Sequence, residues 1–149
     1  MPDRPRTQLA ELKIPAQDDF IGLAKRVATS LGSQLGFGLD EIDELGIAVV
    51  QACGSTIEAA DEMWGPGATL KLSFGASDRA FMVDVEAVAP RSQEALPTRR
   101  APARTDSAEL EMQRALARDM IRLFVDDFRH QVDTGRRQIH YRMVKYLIS

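Results

Sequence analysis

Apolar residues recur at helical spacing through residues 16–36, where Phe20, Leu23, Ala24, Val27 and Leu31 form one stripe. Asp18 or Asp19 is placed to cap that helix, and the preceding short run from Leu9 to Ile14, stopped by Pro15, predicts a strand. Gly36 and Gly38 bracket a turn, and Asp40 then opens a second helix that runs to Trp64. Ile42, Leu45, Val49, Ala52 and Cys53 mark its apolar side, and the small residues of GIAVVQACGS allow close packing against a sheet. On the same helix Gln51 and Ser55 make a polar notch, because side chains four positions apart stand one above the other.

Gly65-Pro66-Gly67 breaks the second helix. Two alternating runs follow, Leu70, Leu72 and Phe74, then Phe81, Val83 and Val85, with a turn expected over Gly75 to Asp78. From Val88 to Thr105 the periodicity stops, and the stretch is rich in proline and arginine. A loop that long inside a domain predicts a lid-like or functional segment. Asp106 or Ser107 caps a third helix, whose stripe is Leu110, Ala115, Leu116, Met120, Ile121 and Phe124. Phe128, His130 and Val132 alternate as a strand. Asp133 to Gly135 turns, and a closing strand carries Ile139, Tyr141 and Met143 on one side. The order β-α-α-β-β-loop-α-β-β implies antiparallel neighbours and an α+β two-layer sandwich.

Composition narrows the function classes. A chain of 149 residues with 44% apolar and 28% charged residues is the size and type of one globular domain, here 1–149, with 1–7 expected as a tail. A net charge of -3 gives no basic field for nucleic acid. No run approaches a membrane span, the N-terminus has no signal-peptide core, and one cysteine cannot form an internal disulfide. A cytoplasmic protein is the expectation.

The familiar catalytic signatures are missing, including phosphate-binding glycine loops, dinucleotide fingerprints and zinc-protease or serine-hydrolase motifs. His130 and His140 lie ten residues apart in strands with no third ligand at metal spacing, so they read as strand-surface residues. Cys53, among small apolar residues, reads as a buried inert thiol. The acidic run Asp40, Glu41, Asp43 and Glu44 suits a helix start. Lys25 and Arg26 read as a solvated helix face unless a partner docks there.

Three stretches nevertheless share one resemblance. LKIPAQDDFIGLAKRVATSLG, ELGIAVVQACGSTIEAA and RDMIRLFVDDFRHQVDTGRRQIHYRMVKYLI resemble, in order, the opening, the N-box helix and the closing helix-strand-strand unit of the RsbW/SpoIIAB-like anti-sigma factor serine kinases. The resemblance implies the Bergerat (GHKL, histidine-kinase-like) ATPase fold, with a mixed, mainly antiparallel sheet covered by helices on one face.

It also implies a nucleotide pocket from which this chain departs. Gln51 stands where the family has its general-base Glu, and an amide cannot take the proton. Ser55 stands at the Mg²⁺-binding Asn, and Ala59 at a common His. Ala87, Ala89 and Arg91 align with the adenine-contacting D-x-G-x-G box, and Ala115 and Ala117 with the second glycine box. Replacing Gly by Ala favours continuous helix by about 1 kcal/mol per position. The resemblance therefore implies a pseudokinase with no expected cofactor and no metal site. Such a protein would bind a sigma factor or a STAS-type anti-sigma antagonist through Lys25 and Arg26, as a homodimer, without contacting nucleic acid or membrane. The alternative is an active ATP- and Mg²⁺-dependent serine kinase in which Glu58, seven residues beyond Gln51, replaces the base.

Overall fold

The computed structural model describes residues 7–90, 107–133, 135 and 137–147. The elements are β1 (Thr7–Pro15), α1 (Ile21–Leu35), α2 (Leu39–Trp64), β2 (Thr69–Ser77), β3 (Ala80–Val88), α3 (Ser107–Phe124), β4 (Asp127–Asp133) and β5 (Gln138–Tyr146). The strands form a five-stranded sheet in the order β1-β2-β3-β5-β4. Every described pairing is antiparallel, so the sheet is not mixed. Two of the four pairings, β2–β3 and β4–β5, are hairpins, which can only reverse direction.

Alternation puts one sheet face on the core. Leu70, Leu72 and Phe74 of β2, Phe81, Val83, Val85 and Ala87 of β3, and Ile139, Tyr141 and Met143 of β5 are all buried. The register sets Phe74 opposite Val83 and Val83 opposite Met143, so these side chains fall in rows across the sheet. The helices cover this face, giving the α+β two-layer sandwich read from the element order.

Helix α2 is the centre of that layer. It touches β3 and β5 on one side, and α1 and α3 on the others. Leu45, Ala48, Val49, Ala52, Cys53, Thr56 and Ala60 are all at or below 1% exposure, so burial extends round much of its circumference. Its small residues are what let three neighbours approach. Against α1, a Cβ on Gly46 would lie 3.0 Å from Lys25 Cε and 3.3 Å from Thr29 Cγ2. The facing side of α1 is correspondingly Ala24, Ala28 and Gly32.

That packing displaces several expectations. Because α1 rests on α2 rather than on the sheet, its buried line is Ala24-Ala28-Gly32, and Leu23 is 42% exposed. Asp18 and Asp19 do not cap α1: they lie in a single 3-10 turn, Asp18–Phe20, that precedes it. Gly38, not Asp40, precedes α2, and its N–H donates to Glu41 Oε1 at 2.9 Å. The β2–β3 turn is Asp78-Arg79, since Gly75 and Ala76 stay in register with Met82 and Phe81. On α3, Ile121 is buried but Leu116 is 61% exposed, because the helix lies on α2 and meets the sheet only lightly. Thr7 belongs to β1 rather than to a tail. Residues 1–6 and 91–106, which hold the rest of that tail, Arg91 and nearly all of the lid-like segment 88–105, lie outside the described residues.

Lys145 anchors the layers at one corner. It is 7% exposed on the core side of β5, and its ammonium donates to Glu44 Oε1 at 3.2 Å and to the Phe124 carbonyl at 2.9 Å. One charge thus ties β5 to α2 and to the negative end of α3.

Candidate functional site

The Gln51–Ser55 notch faces α3. Gln51, Gly54, Ser55, Glu58 and Asp61 of α2, Gln113, Arg114 and Ala117 of α3, and Asp18 before α1 line a cavity of about 540 Å³. The residues aligned with the family's nucleotide pocket do not all meet there. Ala117 lines this cavity, whereas Ala115 lies two positions earlier and points elsewhere on the same helix. Ala87 faces the core of β3 at 3% exposure, Ala89 follows the end of β3, and neither lines the cavity. Ala115 and Ala117 both sit within the unbroken α3.

Charge decides what this cavity accommodates. Asp18, Glu58 and Asp61 face it, and the one cation among its described lining residues, Arg114, is already engaged. Arg114 Nη2 lies 2.6 Å from Glu62 Oε2 and Arg114 Nε 3.6 Å from Glu58 Oε1. Burial alone would lower the Arg114 pKa, but hydrogen bonding and charge from Glu62, then Glu58, raise it, so the guanidinium is held charged. Glu58, the candidate replacement base, is thus bound to an arginine. Among the described residues no group of three His, Cys, Asp or Glu is arranged to hold a metal ion. A nucleoside triphosphate would meet three carboxylates, two amides and a hydroxyl, and along Ser107–Phe124 it would meet a closed helix instead of a glycine loop.

On the other side of Arg114 lies a second cavity, of about 600 Å³. Ser55, Ala59, Glu62 and Met63 of α2, Glu111, Arg114 and Arg118 of α3, His130 and Val132 of β4 and Tyr141 of β5 surround it. Burial raises the Tyr141 pKa; the charges of Arg118 and Arg114 and hydrogen-bonding reach to Ser55 and Arg118 only partly offset this. The phenol therefore stays protonated. His130 is shifted down, by burial and then by the nearby charges of Arg118 and Arg122. It stacks on Phe128 with ring centres 5.8 Å apart and tilts against Tyr141 at 5.8 Å. Sequence reading missed Arg114, Arg118 and Tyr141 as site residues. The i, i+4 spacing of Arg114 and Arg118, matched by Glu58 and Glu62 on α2, was the available signal.

Lys25 and Arg26 both lie exposed on α1, but as adjacent residues they diverge by about 100° around the helix axis. Only Lys25 is held, its stem lying across Gly46. On the open face of the sheet Asp84 accepts from Arg142 Nε at 2.8 Å and lies 2.9 Å from His140 Nε2. Burial would raise the Asp84 pKa, yet these hydrogen bonds and charges outweigh it and hold the carboxyl below its usual range. His140 is thus a cross-strand partner. Cys53 is fully buried, and burial pushes its thiol up to about 12, which leaves no thiolate for chemistry. No described helix is long and apolar enough to cross a membrane.

No family model matches the chain. Individual relatives do. The serine-protein kinase RsbW of Halalkalibacterium halodurans is 31% identical over 64 residues, 43% of this chain and 38% of that protein. The RsbW of Bacillus subtilis is 36% identical over 50 residues, 34% of this chain and 31% of the relative, and that of Bacillus pumilus 35% identical over 52 residues, 35% and 32%. The matched stretch spans roughly a third of each relative's length. The antiparallel sheet under three helices, in this element order, is a GHKL-like arrangement. Local identity and fold agree: over the matched third of its length the chain is RsbW-like.

Proposed function

We propose that this chain is one GHKL ATPase-like domain that works in the cytoplasm as a protein-binding regulator of the anti-sigma type and has lost phosphoryl transfer. The observation that carries the reading is the cavity beside Gln51 and Ser55, where Asp18, Glu58 and Asp61 stand and the one cation among the described lining residues, Arg114, is spent on two glutamates. A polyphosphate entering there would meet like charge at close range in a partly desolvated site. Gln51 supplies no base, and Ser55 offers Mg²⁺ one hydroxyl in place of an amide carbonyl. Ala115 and Ala117 favour the helix that closes the phosphate side.

The partner surface is placed on α1. Lys25, braced on Gly46, and the neighbouring Arg26 present two cations to an acidic patch on a sigma factor or on a STAS-type antagonist, and the protein works as a homodimer. The test is co-purification of the chain with each sigma factor and antagonist of its source cell, followed by incubation with labelled ATP. A complex without label transfer is expected. The double variant Lys25→Glu, Arg26→Glu is expected to weaken that complex and to make it less salt-sensitive. Label transfer to the antagonist would favour the active-kinase reading instead. Unchanged binding by the double variant would remove this surface from the account.

A further inference from the structure

The cavity between α2, α3 and the β4–β5 hairpin contains one cation with no ion pair among the described residues. Arg114 is paired with Glu58 and Glu62. Arg122 lies 3.8 Å from Asp119 and over the Phe128 ring at 5.2 Å. That cation is Arg118, half-buried in the cavity wall, which lies within hydrogen-bonding reach of the protonated Tyr141 hydroxyl. A half-buried guanidinium beside a phenol, with the Ser55 hydroxyl behind it, is a donor set with no acceptor of matching charge.

We infer that this cavity binds a small monocarboxylate with an apolar or aromatic body, its carboxylate taken by Arg118 and Tyr141. Three features restrict the class. The planar fork of an arginine with a phenol beside it matches the two oxygens of a carboxylate. Glu62 and Glu111 share the cavity, and Glu111 stands two turns before Arg118, about 10 Å along the helix, so a ligand with several negative charges meets repulsion at that end. Ala59, Met63 and Val132 give the rest of the wall an apolar surface, and the His130 ring, kept neutral by burial and by Arg118 and Arg122, adds a flat face rather than a second charge. The inference presumes that no nucleotide fills this space, and it does not depend on the partner-binding surface of α1.

Phenylacetate is the probe, titrated into the full chain with amide chemical shifts as the readout and inorganic phosphate and Mg-ATP as comparisons. Saturable shifts on α3, β4 and β5 are expected with phenylacetate. Arg118→Gln should weaken the interaction about tenfold or more, as for loss of a charge-assisted pair. Tyr141→Phe should weaken it less, and Arg79→Gln, in the β2–β3 turn away from the cavity, should leave it unchanged. Circular dichroism checks that each variant is folded. Absence of saturation, equal affinity in Arg118→Gln, or saturation by phosphate alone overturns the inference. Mg-ATP displacing phenylacetate at micromolar concentration would overturn both this inference and the pseudokinase reading. Failure of phenylacetate with no response to Mg-ATP would overturn this inference alone.

Discussion

Replacing Lys145 by methionine separates two accounts of a buried charge. Methionine keeps the stem's apolar contacts and removes the ammonium, so the change isolates two hydrogen bonds. The first partner, Glu44, is 40% exposed and regains water at little cost. The second, the Phe124 carbonyl, ends α3 and loses its 2.9 Å donor in a partly buried position. Leaving such an acceptor unpaired costs about 1–3 kcal/mol. For a chain of 149 residues each kcal/mol moves Tm by roughly 2–4 °C, so Lys145→Met should lower the calorimetric midpoint by several degrees. Glu44→Gln, which keeps an acceptor for the lysine, should change it by much less. Because Lys145 fixes the end of α3, the helix that walls both cavities, amide exchange in α3 should also rise in the variant. A Tm unchanged or raised by Lys145→Met would mean that the charge is merely tolerated, as buried ion pairs sometimes are, and would refute the anchoring role.

Other consequences are equally accessible. Gly46→Ala places a methyl 3.0 Å from Lys25 Cε, so it should displace the lysine and weaken partner binding. Global stability should stay nearly level, since the helix-propensity gain of about 1 kcal/mol offsets the crowding. Asp84→Asn should cost roughly 1.5–3 kcal/mol at neutral pH by removing the charge behind its bonds to Arg142 and His140. The folded pKa of Asp84 lies below its unfolded value, so its contribution is complete above about pH 4 and disappears as pH falls through the folded pKa; wild type and variant should converge in acid melts. His130 is depressed instead, so the unfolded chain binds its proton more readily, and stability should fall as pH drops below about 6.5. Arg118, Arg122, Phe128 and Tyr141 surround that ring, and His130→Gln should flatten the pH 5–7 slope in parallel melts.

The sheet could be read in the sequence because alternation with period two is a local signal. Leu70-Leu72-Phe74, Phe81-Val83-Val85 and Ile139-Tyr141-Met143 all face the core as their spacing implies. The helix faces were harder. Leu23 and Leu116 carry strong hydrophobicity, yet α1 and α3 bury small residues or lie lightly on the sheet, since helix–helix distance is set by the smallest contacts, here Ala24, Ala28, Gly32 and Gly46. The notch at Gln51 and Ser55 was visible from i, i+4 spacing and does line a cavity. Its electrostatic character was not, because it depends on Arg114 reaching across from α3 to Glu58 and Glu62, a contact between residues about fifty positions apart. Lys145 was hidden for the same reason: in an alternating strand it occupies a core position, and only the arrival of Glu44 and the end of α3 explains a charge there.

The central claim is that the pocket beside Gln51 and Ser55 no longer holds a nucleotide. Calorimetric titration of the full chain with Mg-ATP tests it most directly, with Mg-ADP and the Gln51→Glu, Ser55→Asn double variant alongside. The account predicts no saturable heat for the wild type, and none for the double variant either, because Asp18, Glu58, Asp61 and the paired Arg114 remain in place. Saturable binding of Mg-ATP by the wild type at micromolar concentration would contradict it.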